Sequence, residues 1–106
     1  MKSTLPDGPP LILCCGGELV VQVPFAERVA VGSERSRGVV EVPGLEASFA
    51  AAFENNPNGW FVSRLEQPIR VNGSDLEIAC LGVGDVIELS RGLVGPDVRL
   101  TVADGL

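Results

Sequence analysis

Between Ile69 and Leu89, apolar and polar positions alternate in short runs, and each run is broken by a glycine-containing turn. Ile69 and Val71 flank Arg70 and lead into Asn72-Gly73. A type I′ turn needs positive φ at both central residues, which Asn and Gly tolerate best, so this dipeptide predicts a hairpin. Leu76 and Ile78, alternating with Asp75 and Glu77, carry the chain back as one strand. Leu81-Gly82-Val83-Gly84-Asp85 is a second glycine-rich turn, and Val86–Leu89 the next strand.

The same punctuation runs through the whole chain. Leu11–Cys15 is an apolar run that predicts a strand covered on both sides, ended by Gly16-Gly17. Glu18–Val23 is a second strand, closed by Pro24, which has no N–H to give a ladder. Phe25-Ala26-Glu27 turns the chain into Arg28–Val31. The polar loop Ser33–Gly38 precedes Val39–Val42, which Pro43-Gly44 ends. Ser48–Glu54 is ambiguous. Its alanines favour helix, but it is short for an independent helix and its neighbours read as strands. The expectation is a strand with Phe49, Ala51 and Phe53 on one face. Asn55–Gly59 has the composition of a loop. Trp60–Arg64 is a strand, and Leu65–Pro68 connects it to Ile69. After a long turn from Ser90 to Asp97, Val98–Val102 alternates cleanly as a half-buried closing strand. About ten short strands at close spacing predict an all-β antiparallel sandwich or barrel.

Composition narrows the function. The length of 106 residues fits one domain. The polar, proline-containing stretch 1–10 reads as a flexible lead-in, and 11–103 as the folded domain. The opening residues lack an apolar signal-peptide core, and Gly and Pro interrupt every apolar stretch. The expectation is therefore a cytoplasmic location with no membrane insertion. The formal net charge of −6 opposes nucleic-acid or anionic-membrane binding as the main role. Histidine is absent, which removes histidine-based nucleophile pairs, general bases and metal sites. The carboxylates Asp75, Glu77, Asp85 and Glu88 fall on alternating positions that solvent exposure explains. No enzyme activity, metal or cofactor is expected.

The three cysteines are Cys14, Cys15 and Cys80. An odd count without a signal peptide predicts reduced thiols. Cys14 and Cys15 are adjacent on a strand and so point to opposite faces. All three are expected to be shielded small apolar residues.

In order and spacing, several of these pieces resemble a forkhead-associated (FHA) domain. Arg28-Val29-Ala30-Val31-Gly32-Ser33 is similar to that family's strand ending in Gly-Arg. Val39–Val42 with Pro43-Gly44-Leu45 resembles the next strand and its proline-containing loop. Glu46–Phe53 stands where the family has Ser-x-x-His-Ala, and Trp60-Phe61-Val62 resembles the strand after it. Val71-Asn72-Gly73, Leu81 and Gly84–Leu89 resemble the closing Val-Asn-Gly and Leu-x-x-Gly-Asp-x-Ile-x-Leu signature. The resemblance covers Leu11 to Val102. It implies an FHA/SMAD-like antiparallel β-sandwich of about eleven short strands that presents its loops at one end to phosphothreonine peptides.

The family's phosphate-binding residues are replaced here. The position of its phosphate-reading arginine is Ser33, that of its phosphate-bonding serine is Ala47, and that of its scaffold histidine is Ala50. Its Asn-Gly-Thr loop is replaced by the shorter Leu65-Glu66-Gln67-Pro68, which carries a carboxylate. A phosphate of about two negative charges needs charge-assisted donors. Alanine offers none, and serine in place of arginine loses both the charge and the bidentate fork. The expected function is a non-catalytic protein-interaction or scaffolding module that does not read phosphothreonine. Its partner-binding loops would carry Ser33, Arg35, Arg37, Ala47, Ser48, Glu66 and Gln67. One alternative is a phosphopeptide module using displaced arginines, Arg35 or Arg37. Another, by analogy with divergent relatives, is the cytoplasmic FHA-like domain of a type III secretion inner-membrane ring protein. Arg64 and Arg70 read as solvated surface, and Asn72, Gly73, Gly82, Gly84 and Asp85 as turn formers.

Overall fold

A computed structural model describes residues 9–33, 39–42, 50–66, 68–89 and 98–103. These residues form eleven strands and no helix. They are β1 (Leu11–Cys15), β2 (Glu18–Val23), β3 (Glu27–Gly32), β4 (Val39–Glu41), β5 (Ala51–Asn56), β6 (Gly59–Arg64), β7 (Ile69–Val71), β8 (Ser74–Leu76), β9 (Ile78–Leu81), β10 (Val86–Leu89) and β11 (Val98–Ala103). One sheet has the order β2-β1-β11-β10-β7-β8 and the other β4-β3-β5-β6-β9. All pairs are antiparallel except β3–β4, which is parallel. That single pair departs from the all-antiparallel expectation.

The period-two pattern decides which residues meet between the sheets. Leu11, Leu13, Val21, Val23, Ile69, Val71, Ile87, Leu89, Leu100 and Val102 line the inner face of the first sheet. Val31, Ala51, Phe53, Val62 and Leu81 line that of the second. Each fully buried Val, Leu, Ile or Phe side chain contributes roughly 1.5–3 kcal/mol of transfer free energy. Leu11, Ile12 and Leu13 are all buried, as a run covered on both sides should be.

The ambiguous alanine-rich segment is strand. Ala51 and Phe53 join the core, and Ala52 is buried on the opposite face between Ala30 and Ser63. Phe49 lies outside the described residues.

Two expectations need correction. First, Asn55 and Asn56 are not loop. β5 runs through both, and the chain reverses over Pro57-Asn58, with Asn56 paired to Gly59. Asn58 N–H bonds Asn56 Oδ1 at 2.8 Å, the side-chain mimic of a turn that such compositions favour. Gly59 sits at φ 129°, open only to glycine. Asn55 is 1% exposed, and its Nδ2 donates to the carbonyls of Pro9 (2.9 Å) and Val23 (3.0 Å). It ties one sheet to the other. Second, the run Leu76 to Ile78 is not one returning strand. β8 pairs with β7 in the first sheet, and β9 pairs with β6 in the second, so the chain changes sheets at Glu77. Arg64 N–H fixes this crossing by bonding Glu77 O at 2.7 Å.

The thiols also depart from expectation. All three cysteines are free, but Cys14 is only half-buried and Cys15 and Cys80 are exposed. Cys15 is the last residue of β1, opposite Glu18 at the turn. Cys80 points outward from β9, away from the core residue Leu81 that follows it.

Candidate functional site

β3 and β6 both run antiparallel to β5, so their C-terminal ends flank its start. Backbone bonds knit this end together. Ala50 N–H donates to Val31 O (2.8 Å), Leu65 N–H to Ala50 O (3.2 Å) and Val42 N–H to Gly32 O (2.9 Å). Ser33, half-buried, follows buried Gly32 on this end, and exposed Glu66 follows β6. The topology therefore brings Ser33 and Glu66 to the same end of the five-stranded sheet. Arg35, Arg37, Ala47, Ser48 and Gln67 lie outside the described residues. Ala50 is fully buried, and its methyl group can make no hydrogen bond.

Beside this end, a recess of about 440 Å³ lies between the end of β6 and the β7–β8 hairpin. It was not legible from sequence, because β6 and β8 belong to different sheets. Arg64, Arg70, Asp75 and Glu77 line it with Pro68, Ile69 and Leu76. Arg70 Nε donates to Asp75 Oδ1 at 3.2 Å, and both side chains are exposed. Two cationic side chains face two carboxylates, so the recess carries no net charge to draw an anion. Among the described residues, no group of His, Cys, Asp or Glu side chains could hold a metal ion.

Asn72, Gly73 and Asp85 are turn formers as expected, at the far end of β7. Asn72 adopts φ 52° and Gly73 φ 87°. The side chains of Asn72 and Asp85 do more than the sequence indicated. Asn72 Nδ2 donates to Asp85 Oδ1 (3.1 Å), and Asn72 Oδ1 accepts from Val86 N–H (3.0 Å). Asp85 Oδ2 accepts from Gly82 N–H at 2.8 Å. The clasp joins two turns and consumes polar groups that a ligand would otherwise meet.

No family model matches the chain, and no curated protein matches it. Solved structures do. The FHA domain of a hypothetical protein from Arabidopsis thaliana superposes with a TM-score of 0.69 at 20% identity, covering 100% of this chain and 98% of that one. An FHA-1 domain from Mycobacterium tuberculosis gives 0.62 at 14%, covering 92% and 100%. An FHA-2 domain from a Mycobacterium tuberculosis ABC transporter gives 0.58 at 22%, covering 100% and 88%. The chain has the FHA-domain fold. The likeness extends over 92–100% of this chain. At these identities an FHA fold carries no binding chemistry with it, and function rests on the side chains present.

Proposed function

We propose that this FHA sandwich is a non-catalytic protein-interaction or scaffolding module that does not read phosphothreonine. The observation that carries the reading is Ser33, directly after buried Gly32 at the end of β3. A phosphate-reading arginine would stand at this position in the family. Buried Ala50 at the start of β5, in place of the scaffold histidine, supports the same reading, and so does the exposed carboxylate of Glu66 at the end of β6. Hydrogen bonds to charged groups contribute roughly 1.5–3 kcal/mol each. Losing two of them weakens a micromolar interaction by a factor of about a hundred or more. The loop end carrying Ser33, Arg35, Arg37, Ala47, Ser48, Glu66 and Gln67 is then a surface for a folded or unphosphorylated protein partner.

The test is a phosphothreonine peptide library screened at low ionic strength, where charge attraction is least screened. No peptide should lose affinity on dephosphorylation. A phosphate-dependent hit that weakens on Arg35→Ala or Arg37→Ala would replace this reading with a phosphopeptide site built from displaced arginines.

A further inference from the structure

We infer that β9 is a self-association edge, through which two copies of this chain join their five-stranded sheets across a two-fold axis. The argument starts from hydrogen-bond parity. In an antiparallel pair, residues alternate between those whose N–H and C=O face the partner and those whose groups face away. Arg64 N–H bonds Glu77 O, so Glu77 faces β6. In the β6–β9 register, Ala79 and Leu81 do likewise. The N–H and C=O of both Ile78 and Cys80 therefore point off the sheet. β9 ends the sheet order, with no strand beyond it among the described residues.

Edge strands are normally blunted by charge, proline, bulges or shortness. The other three edges are blunted in these ways. β2 carries Glu18 and has a register shift against β1. β4 has three residues and ends on Glu41. β8 has three residues centred on Asp75. β9 reads Ile-Ala-Cys-Leu, has a regular register and bears no charge. Its Ile78 is 64% exposed, more than any other large hydrophobic residue described.

A second copy fits the edge in a self-complementary register. In a continuous antiparallel sheet, residues directly opposite share a face. Placing Ala79 opposite Ala79 of the second copy sets Ile78 opposite Cys80 in both directions. All four outward backbone groups of each β9 are then paired. Ile78, Cys80 and Phe61 of the two copies merge into one apolar cluster on the outer face, since Phe61 is the neighbour of Cys80 on β6. Centring the pair on Cys80 instead would set Ile78 against Gly82, whose N–H is already given to Asp85. No like charges fall opposite each other in the Ala79-centred register. Pairing through strands of four residues belongs with interfaces below about 1,200 Å², the class of weak and transient association.

The test is sedimentation equilibrium of the reduced chain, taken to concentrations on the order of 1 mM, the dissociation constant of a weak complex. A monomer–dimer equilibrium is expected, and Ile78→Lys should raise its dissociation constant at least about tenfold by placing a charge on the edge. Ile78 is exposed, so this variant keeps its fold, which its melting curve checks. Leu19→Lys on β2 should leave the dimer intact. In parallel, Ile78→Cys sets a thiol opposite Cys80 of the second copy, at about 5.5 Å between Cα atoms, within disulfide range. Mild oxidation should give a covalent dimer linked from position 78 to Cys80. A chain that stays monomeric, a dimer indifferent to Ile78→Lys, equal loss with Leu19→Lys, or covalent dimers linked only through other thiols would each overturn the inference.

Discussion

Asn55 offers the sharpest test of how the two sheets are held. Its amide is the one buried polar side chain among the described residues, and both of its hydrogens are spent on carbonyls, those of Pro9 and Val23. Asn55→Asp keeps the shape and removes both donors. A buried carboxylate then faces two carbonyl oxygens. Each of the two lost bonds costs about 1 kcal/mol net, and the Val23 carbonyl, whose bond is the buried one, adds about 1–3 kcal/mol when left unsatisfied, whereas that of Pro9 is only part-buried. A loss of roughly 3–5 kcal/mol near neutral pH follows, a large part of the 5–15 kcal/mol typical of a domain. The loss should also depend on pH. Burial beside acceptors disfavours the ionised form, so the folded-state pKa of the new carboxyl is raised above the unfolded value of about 3.9. The sign follows from linkage: the variant is least impaired below the unfolded pKa and loses stability as pH rises through the folded pKa. When protonated, the carboxyl can return one hydrogen bond. Urea unfolding of the wild-type and variant chains at about pH 4 and about pH 7.5 measures the difference. A penalty below about 0.5 kcal/mol, or one that does not grow with pH, would refute the role given to this amide.

Three further outcomes are expected. Ala26 holds φ 67° while its N–H bonds Asn55 O. Ala26→Gly should therefore raise stability by about 0.5–1 kcal/mol, because relief of left-handed strain exceeds the added chain entropy; a lower melting temperature would contradict this. Asn72→Ala removes two side-chain bonds and the residue type that tolerates φ 52°. It should cost about 1–2 kcal/mol by chemical denaturation, and an unchanged midpoint would show the clasp to be slack. In thiol labelling of the native chain, Cys15 and Cys80 should react promptly and Cys14 more slowly; equal protection of all three would contradict the observed exposure.

Where strand pattern and turn chemistry agreed, the sequence was enough. Leu11–Cys15 and Glu18–Val23 match their observed bounds, and the Asn72-Gly73 hairpin is where its φ requirements put it. The errors arose where local composition competes with tertiary contact. Asn55 sits in a run of turn-forming residues, yet two carbonyls from distant strands hold it inside β5. Leu76–Ile78 alternates perfectly, but alternation says nothing about which sheet a strand joins. The exposure of Cys15 and Cys80 could not be read from strand membership, because it depends on strand end and outward face. The Asn72–Asp85 clasp spans thirteen residues, and only the pairing of β7 with β10 brings its ends together.

The site is less legible than the fold for a related reason. A sandwich constrains its inner-face residues by packing, so their pattern survives as alternation, whereas loop residues answer only to what they bind. Ser33 and Glu66 carry no periodic signal. They gain meaning because β3 and β6 end on either side of the start of β5. The edge strand is intermediate. In sequence Ile78 falls in the alternation from Leu76, and Leu81 in a glycine-rich turn, and only the pairing with β6 makes Ile78–Leu81 a strand. Then its lack of charge, beside three edges that are shortened, charged or shifted in register, becomes the feature to explain. Burial alone would explain an apolar strand in the middle of a sheet. It does not explain Ile78, which is 64% exposed at the margin. Ser33 and Glu66 are polar positions at the ends of β3 and β6, whereas the β9 edge is apolar with open backbone groups. Changing Ile78 should therefore alter self-association while leaving the loop end as it is, and changes at Ser33 or Glu66 should do the reverse.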